Sequence, residues 1–408
     1  MFQNWKNDYG GFITMDDKIK DFVNYLVNKY KFEYRFGPED FKNGELKNVS
    51  WPNNPIVLAS GKTDNNNIIG VMAFGGCIGI IDCNSPNVFL VESKVDNFVK
   101  YLGEGDNRHQ DGHGNHYLLP DRFSKEYNNY FNRNYKKQDL KEMIIKECPT
   151  PKTFSKDNTK KLKKCLDFLV CSAYIRFMHR SKNNIVDISE RSMQTIISRK
   201  NWVEMQNSEL MFIDTEFKIQ IEDDDVKVNK TPSVDLVVLD RKDKAFGLIE
   251  FKYQGESMEP SSKNSLTEHY NDFKKILTKP NNKHNIIKRL KEYTLLLVEL
   301  GLIRDEYLEP IINNINEIWC GFYFVENKGK KTRRQNKQMR LEDRIYVDCY
   351  TQILDIFGDD KDILKSIRIQ NSDLNNLIIN MTKTDNMVQV CTKHKEDNPT
   401  LYSDDTNN

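Results

Sequence analysis

Residues 231–253, TPSVDLVVLDRKDKAFGLIEFKY, narrow the fold more than any other part of the chain. Two apolar runs of strand length flank the charged turn Asp240-Arg241-Lys242-Asp243. Both runs are apolar at odd and even positions, the pattern of strands covered on both faces rather than of a solvated sheet. Successive side chains of a strand point to opposite faces. In the first run Val234, Leu236 and Val238 therefore share one face and Asp235 takes the other. In the second, Ile249, Phe251 and Tyr253 share a face, while Leu248, Glu250 and Lys252 share the opposite one. A short hairpin brings Asp235 next to Glu250 and Lys252. Two carboxylates and an ammonium are costly inside a sheet unless they have partners. A hard divalent ion such as Mg²⁺ takes oxygen ligands and keeps several waters, and a neighbouring lysine can orient or help deprotonate one of them. That is a device for metal-assisted phosphodiester hydrolysis. The plainer alternative is a salt-bridged hairpin, with Lys252 pairing Asp235 or Glu250 across an exposed sheet face; the apolar neighbours weigh against it.

The order of elements around this hairpin extends the reading. The pattern predicts a helix over 189–200, a strand over 210–221, the two strands 233–239 and 245–253, helices over 264–277 and 284–302, a strand over 318–326 and a helix over 341–357. This helix–strand–strand–strand–helix–strand order is that of an α/β/α sandwich. An Asp on one strand followed by Glu-x-Lys on the next, here Asp235 and Glu250-Phe251-Lys252 fifteen residues on, resembles the PD-(D/E)xK nuclease superfamily. The resemblance covers about 187–326. Pro232 stands three residues before the Asp, not directly before it.

The resemblance implies a restriction-endonuclease-like α/β/α sandwich with a mixed sheet. It also implies a Mg²⁺-dependent endonuclease, with Mn²⁺ as a substitute ion and DNA a likelier substrate than RNA. Restriction or anti-phage defence is the role it suggests. Asp235 and Glu250 would hold the metal and Lys252 would assist the attacking water. The family's helix acid falls on Glu190, which shares the apolar stripe of Met193 and Ile197 and is also placed to complete a capping box with Asp187. Glu216 is a weaker competitor as an extra ligand. Gln254 shares the face of Lys252 and could bond a water or phosphate, or simply end the strand. The rival reading is a non-cleaving nucleic-acid-binding or assembly subunit that keeps the fold.

Residues 328–340, KGKKTRRQNKQMR, hold seven basic side chains and no acid: Lys328, Lys330, Lys331, Arg333, Arg334, Lys337 and Arg340. Such a run, read as a loop after the strand 318–326, could neutralise phosphates or be a solvated surface. Any nucleic-acid affinity must be local in this way, because 61 Lys and Arg against 60 Asp and Glu leave a formal net charge of only +1.

The 408 residues exceed one typical domain. Residues 1–148 read as an α+β recognition, sensor or assembly domain. Residues 149–186 form a helical connector after Pro149 and Pro151, residues 187–395 the nuclease domain, and residues 396–408 a disordered tail. The eight cysteines form no CxxC pair and read as small buried hydrophobes in a reducing compartment. His109, His113 and His116 lie in a glycine-bearing loop whose spacing defines no metal geometry. Glycines 75, 76 and 79 belong to a strand rather than a phosphate loop. No apolar run reaches membrane-spanning length, and the N-terminus is no signal peptide. The expectation is a soluble cytoplasmic protein without a membrane partner, with a homo-oligomer left open.

Overall fold

Every residue of the strand Ala245–Tyr253 is buried, as its unbroken apolar run requires of a strand with neighbours on both sides and layers on both faces. The computed structural model describes residues 17–32, 52–60, 68–83, 88–89, 190–206, 208–219, 232–253, 265–304, 312–326, 331–334 and 337–403, with short pieces between 128 and 188 and the single residues 221, 306 and 308. The chain divides into two compact units, Met1–Arg199 with Leu295–Ile303, and Lys200–Thr294 with Arg304–Asn408. The division falls inside the helix Glu190–Glu204, between Arg199 and Lys200.

In the first unit helix α1 (Asp17–Asn24, with one wider turn Tyr25–Lys29) accompanies a three-stranded antiparallel sheet of β1 (Ile56–Ser60), β2 (Ile68–Ala73) and β3 (Gly76–Asp82). Asn54 joins helix to sheet. Its amide donates to the Leu26 and Val27 carbonyls, and its oxygen accepts from the Ile56 amide. The β2–β3 turn uses Gly75 at φ 71°, where a Cβ would stand 2.4 Å from that of Arg191; only glycine admits this approach. Arg191 lies on helix α2 (Glu190–Glu204), whose Arg199 donates to the Val27 carbonyl. The helical connector expected over 149–186 falls mostly outside the described residues, as does the histidine loop. Two short strand pairs, Val88–Phe89 with Thr153–Phe154 and Met178–Arg180 with Val186–Ile188, complete the described part.

The second unit is built on a five-stranded mixed sheet. Its strands are β4 (Leu210–Lys218), β5 (Ser233–Asp240), β6 (Ala245–Tyr253), β7 (Glu317–Glu326) and, beyond a hairpin and further helices, β10 (Ile367–Asp373), ordered β10-β7-β6-β5-β4. Strands β10, β7 and β6 are parallel, and β6, β5 and β4 antiparallel. Helices α3 (Leu266–Thr278) and α4 (Pro280–Glu299) connect β6 to β7. Helix α5 (Leu341–Cys349, extended by turns to Phe357) and α6 (Met387–Asp397) follow. The unit is thus α/β, as its element order predicts. No described helix is long and apolar enough to cross a membrane.

Two expectations change. Residues 331–334 and 337–340 are not loop but two paired antiparallel strands, β8 (Lys331–Arg334) against β9 (Lys337–Arg340). The tail expected to be disordered from 396 is packed as far as Ser403: a turn follows α6, and the Tyr402 hydroxyl meets His394 Nδ1 at 2.7 Å. A tyrosine anchored on a half-buried imidazole holds the chain where its polar composition suggests none would. The described cysteines carry free thiols; Cys83, Cys320, Cys349 and Cys391 are buried and Cys77 is partly so.

One end of the sheet is clamped by a charged cluster. Arg368 of β10, buried, donates to Asp240 Oδ2 at 2.9 Å and Asp243 Oδ2 at 2.7 Å on either side of the β5–β6 turn. Its guanidinium stacks 4.1 Å from the centre of the Trp319 ring, and Trp319 Nε1 donates to Asp240 Oδ2 at 3.1 Å. Gly247, paired with Trp319 across β6 and β7, leaves room for the indole: a Cβ there would stand 2.3 Å from Cζ2. Gly247→Ala is therefore expected to destabilise the fold by about 1–3 kcal/mol, the usual cost of overpacking a filled core. The check is a denaturant midpoint, with an unchanged slope; a wild-type midpoint would mean that the indole moves aside at no cost.

Candidate functional site

The β5–β6 ladder fixes where the acidic side chains meet. Pairing runs from Asp240 opposite Ala245 to Leu236 opposite Ile249. One step further in this register sets Asp235 across from Glu250, and residues directly opposite share a face. Asp235 Oδ2 accepts from the Phe251 amide at 2.9 Å, so the carboxylate closes the ladder where the strands part. Its carbonyl accepts from Thr215 Oγ1 at 2.8 Å. The Asp235 and Glu250 carboxyls are within hydrogen-bonding reach of each other.

Two residues along β6, Lys252 returns to the same face and donates from Nζ to Glu250 Oε1 at 2.9 Å. Glu250 is 6% exposed and Lys252 2%. Burial, and then the like charge of Asp235, push the Glu250 carboxyl well above the usual carboxylate range; the Lys252 ammonium pulls the other way without cancelling them. The arrangement as it stands wants a proton between its two acids, or a cation in the proton's place.

A fourth group belongs to this site. His269 of α3 brings Nε2 to 3.0 Å from Glu250 Oε1 and 3.2 Å from Lys252 Nζ. Helix α3 buries Leu266, Tyr270, Phe273 and Ile276, with Phe273 against Phe322 of β7 at 5.3 Å between ring centres. His269 sits on the border of that stripe. The sequence places a histidine one turn into a helix after the Glu-x-Lys strand, but only packing of the helix on the sheet reveals its partners.

Glu190 opens α2 and belongs to the first unit, whereas Asp235, Glu250 and Lys252 belong to the second. Asp187 lies in the short strand Val186–Ile188. Glu216 stands in β4 between Thr215, opposite Leu236, and Phe217, opposite Val234, hence level with Asp235. Its φ of 54° is left-handed, a strained conformation for a side chain larger than glycine. Gln254, Lys328 and Lys330 lie outside the described residues, as do the side chains of Lys331, Arg333, Arg334 and Lys337. Arg340, at the end of β9, is committed within the protein: it pairs Glu342 at 2.6 Å and Asp343 at 2.9 Å beside the start of α5.

Among the described residues no three His, Cys, Asp or Glu side chains are grouped so as to enclose an ion. A hard ion does not need such a cage: Mg²⁺ commonly uses one or two carboxylates and fills its other positions with water and substrate phosphate. The mutually repelling Asp235–Glu250 pair fits that requirement. Comparison with protein-family models and with curated proteins finds no match to this chain.

The pH dependence of stability follows from Glu250. A carboxyl whose folded pKa is raised binds its proton more tightly folded than unfolded. Metal-free stability should therefore fall as pH rises from the ordinary Glu range toward the raised folded value. Glu250→Gln, which imitates the protonated acid, is expected to be more stable than the wild type at neutral pH in EDTA, with the gap closing below about pH 4. Thermal melts across pH measure it. A variant less stable than wild type at pH 7 would show that the Lys252 pairing outweighs burial and the Asp235 repulsion.

Proposed function

We propose that this chain is a metal-dependent nuclease of the PD-(D/E)xK type, its second unit a restriction-endonuclease-like α/β/α sandwich, with DNA as substrate. The observation that carries the reading is the pair of carboxyls, Asp235 half-buried and Glu250 buried, set against each other across the β5–β6 ladder with the Lys252 ammonium on Glu250. A structural ion pair would need one acid and one base. The second acid adds repulsion that a divalent cation removes.

A bound Mg²⁺ would supply a Lewis acid and a water of lowered pKa. Asp235 and Glu250 would hold the ion. Lys252, fixed on Glu250, would orient the attacking water and offset negative charge as it develops on the phosphate. The hairpin β8–β9 grips the substrate backbone. Its two strands carry Lys331, Arg333, Arg334 and Lys337, a local density of positive charge that phosphates would neutralise. A defence role, as in restriction or anti-phage systems, fits an enzyme with a further unit for recognition or sensing.

The deciding experiment incubates the protein with plasmid, linear and single-stranded DNA and with RNA, in Mg²⁺, Mn²⁺ or EDTA. Cleavage is expected with either ion and none in EDTA. Asp235→Asn is expected to abolish cleavage, and Lys252→Ala to lower turnover roughly 100-fold or more with nucleic-acid binding nearly unchanged. Cleavage at the wild-type rate in EDTA would overturn the metal mechanism. Binding of nucleic acid without cleavage in any ion would make the protein the non-cleaving relative.

The hairpin is tested separately. Changing Lys331, Arg333, Arg334 and Lys337 together to Ala, in an Asp235→Asn background, should weaken binding to all sequences alike. The slope of log affinity against log salt should flatten by about 0.9 for each duplex phosphate that is no longer neutralised. An unchanged slope would assign the grip to another surface.

A further inference from the structure

We propose that His269 is a positioning residue of this site, which holds the Glu250 carboxylate and the Lys252 ammonium in the geometry that ion binding and water orientation require. The proposal rests on the nuclease reading for its turnover arm alone; the ion-binding arm stands by itself.

Three observations carry it. The first is geometric. Lys252 Nζ and His269 Nε2 both reach Glu250 Oε1, at 2.9 and 3.0 Å, and lie 3.2 Å from each other. The imidazole Nε2 either donates to the carboxylate oxygen or accepts from the ammonium, according to its tautomer. In either arrangement it fills the space into which both side chains would otherwise swing. With Oε1 held by Lys252, and by His269 as well when Nε2 carries the proton, the carboxylate is restrained about its terminal torsion, and its second oxygen is directed elsewhere.

The second observation is the independent anchoring of α3. Ser265 caps its first turn, accepting from the Glu268 amide. Thr267 Oγ1 donates to the Gln352 carbonyl at 3.1 Å. Tyr270 and Lys274 both reach Asp360 Oδ2, at 2.9 and 2.6 Å. The helix does not depend on His269 for its place, so it delivers the imidazole to the site as a fixed group.

The third is chemical. The border of a buried stripe is filled at least cost by an apolar side chain. An imidazole there, only 17% exposed and in contact with two buried charged groups, has a polar task. Groups that orient the ligands of a metal typically matter 10- to 100-fold in ion affinity or activity when removed.

The test compares wild type with His269→Ala, His269→Gln and His269→Asn. Glutamine extends an amide toward the Nε2 position; asparagine is shorter and reaches only the Nδ1 position. Mn²⁺ binding is measured by calorimetry on metal-free protein. Turnover and KM are measured on duplex DNA across a Mg²⁺ series, and metal-free melts report folding. His269→Ala is expected to bind Mn²⁺ roughly 10-fold more weakly and to lose roughly 10- to 100-fold in kcat, with KM for DNA and the metal-free melting temperature near wild type. His269→Gln should recover most of both losses and His269→Asn little. Wild-type ion affinity and kcat in His269→Ala would overturn the proposal and leave the nuclease reading intact. Weakened Mn²⁺ binding in His269→Ala, beside a wild type that cuts nothing, would sustain the positioning role and overturn the nuclease. A wild type that binds no ion would overturn both. Equal losses in the Ala and Gln variants, together with a lowered metal-free melting temperature, would reduce His269 to packing.

Discussion

The register of β5 on β6 is the constraint on which the site depends. Side chains alternate along a strand, so a slip of one residue would turn Asp235 to the opposite face from Glu250 and Lys252. The apolar residues cannot prevent this alone, because both runs are apolar on both faces and a slipped pairing would still bury them. The polar groups at the far end of the hairpin distinguish the registers. Asp240 must meet Trp319 Nε1 and Arg368 at once, and Asp243 must meet Arg368 and Lys383. Burial by itself would raise the Asp243 carboxyl, yet the bonds from Lys383 and Arg368 hold it below its ordinary range. Breaking such a buried set leaves a charge without compensation, a cost of about 3–5 kcal/mol. The clamp and the candidate site are thus the two ends of one hairpin, the first fixing the alignment that the second requires.

Much of this was legible in the sequence because strand periodicity is local. The two unbroken apolar runs in 231–253 gave the central strands and the turn between them, the two-residue repeat of a strand gave the shared face of Glu250 and Lys252, and a short hairpin put Asp235 within reach. The α/β class followed from the order of elements, and the mixed sheet was implied only by the family resemblance. What was not legible depended on partners distant in sequence. Strand β10, IRIQNSD, is too polar to read as a strand; it forms because β7 offers it an edge, and Arg368 finds Asp240 across 128 residues. His269 gains its meaning only from the packing of α3 on the sheet. The basic run has no apolar alternation to announce a hairpin, yet it pairs, with Met339 buried at its base.

The site also explains why its residues are costly to keep. Lys252 and Glu250 occupy a strand otherwise filled with apolar side chains, and replacing both by neutral residues of similar volume would suit the core better. Retaining both, with Asp235 opposite and His269 alongside, fits the general trade of stability for activity at functional sites.

The outer edge of the sheet has a different consequence. Among the described residues strand β4 is paired on one side, to β5, and its ladder is irregular at two places: the shift between Phe212 and Asp214, and the left-handed backbone at Glu216. A second chain seeking to extend the sheet there would need an unbroken row of amides and carbonyls along nine residues, and β4 presents it in fragments. The irregularity that leaves Glu216 level with Asp235 therefore also guards the border. Copies of this protein that assemble would have to do so by a route other than continuous sheet growth across β4.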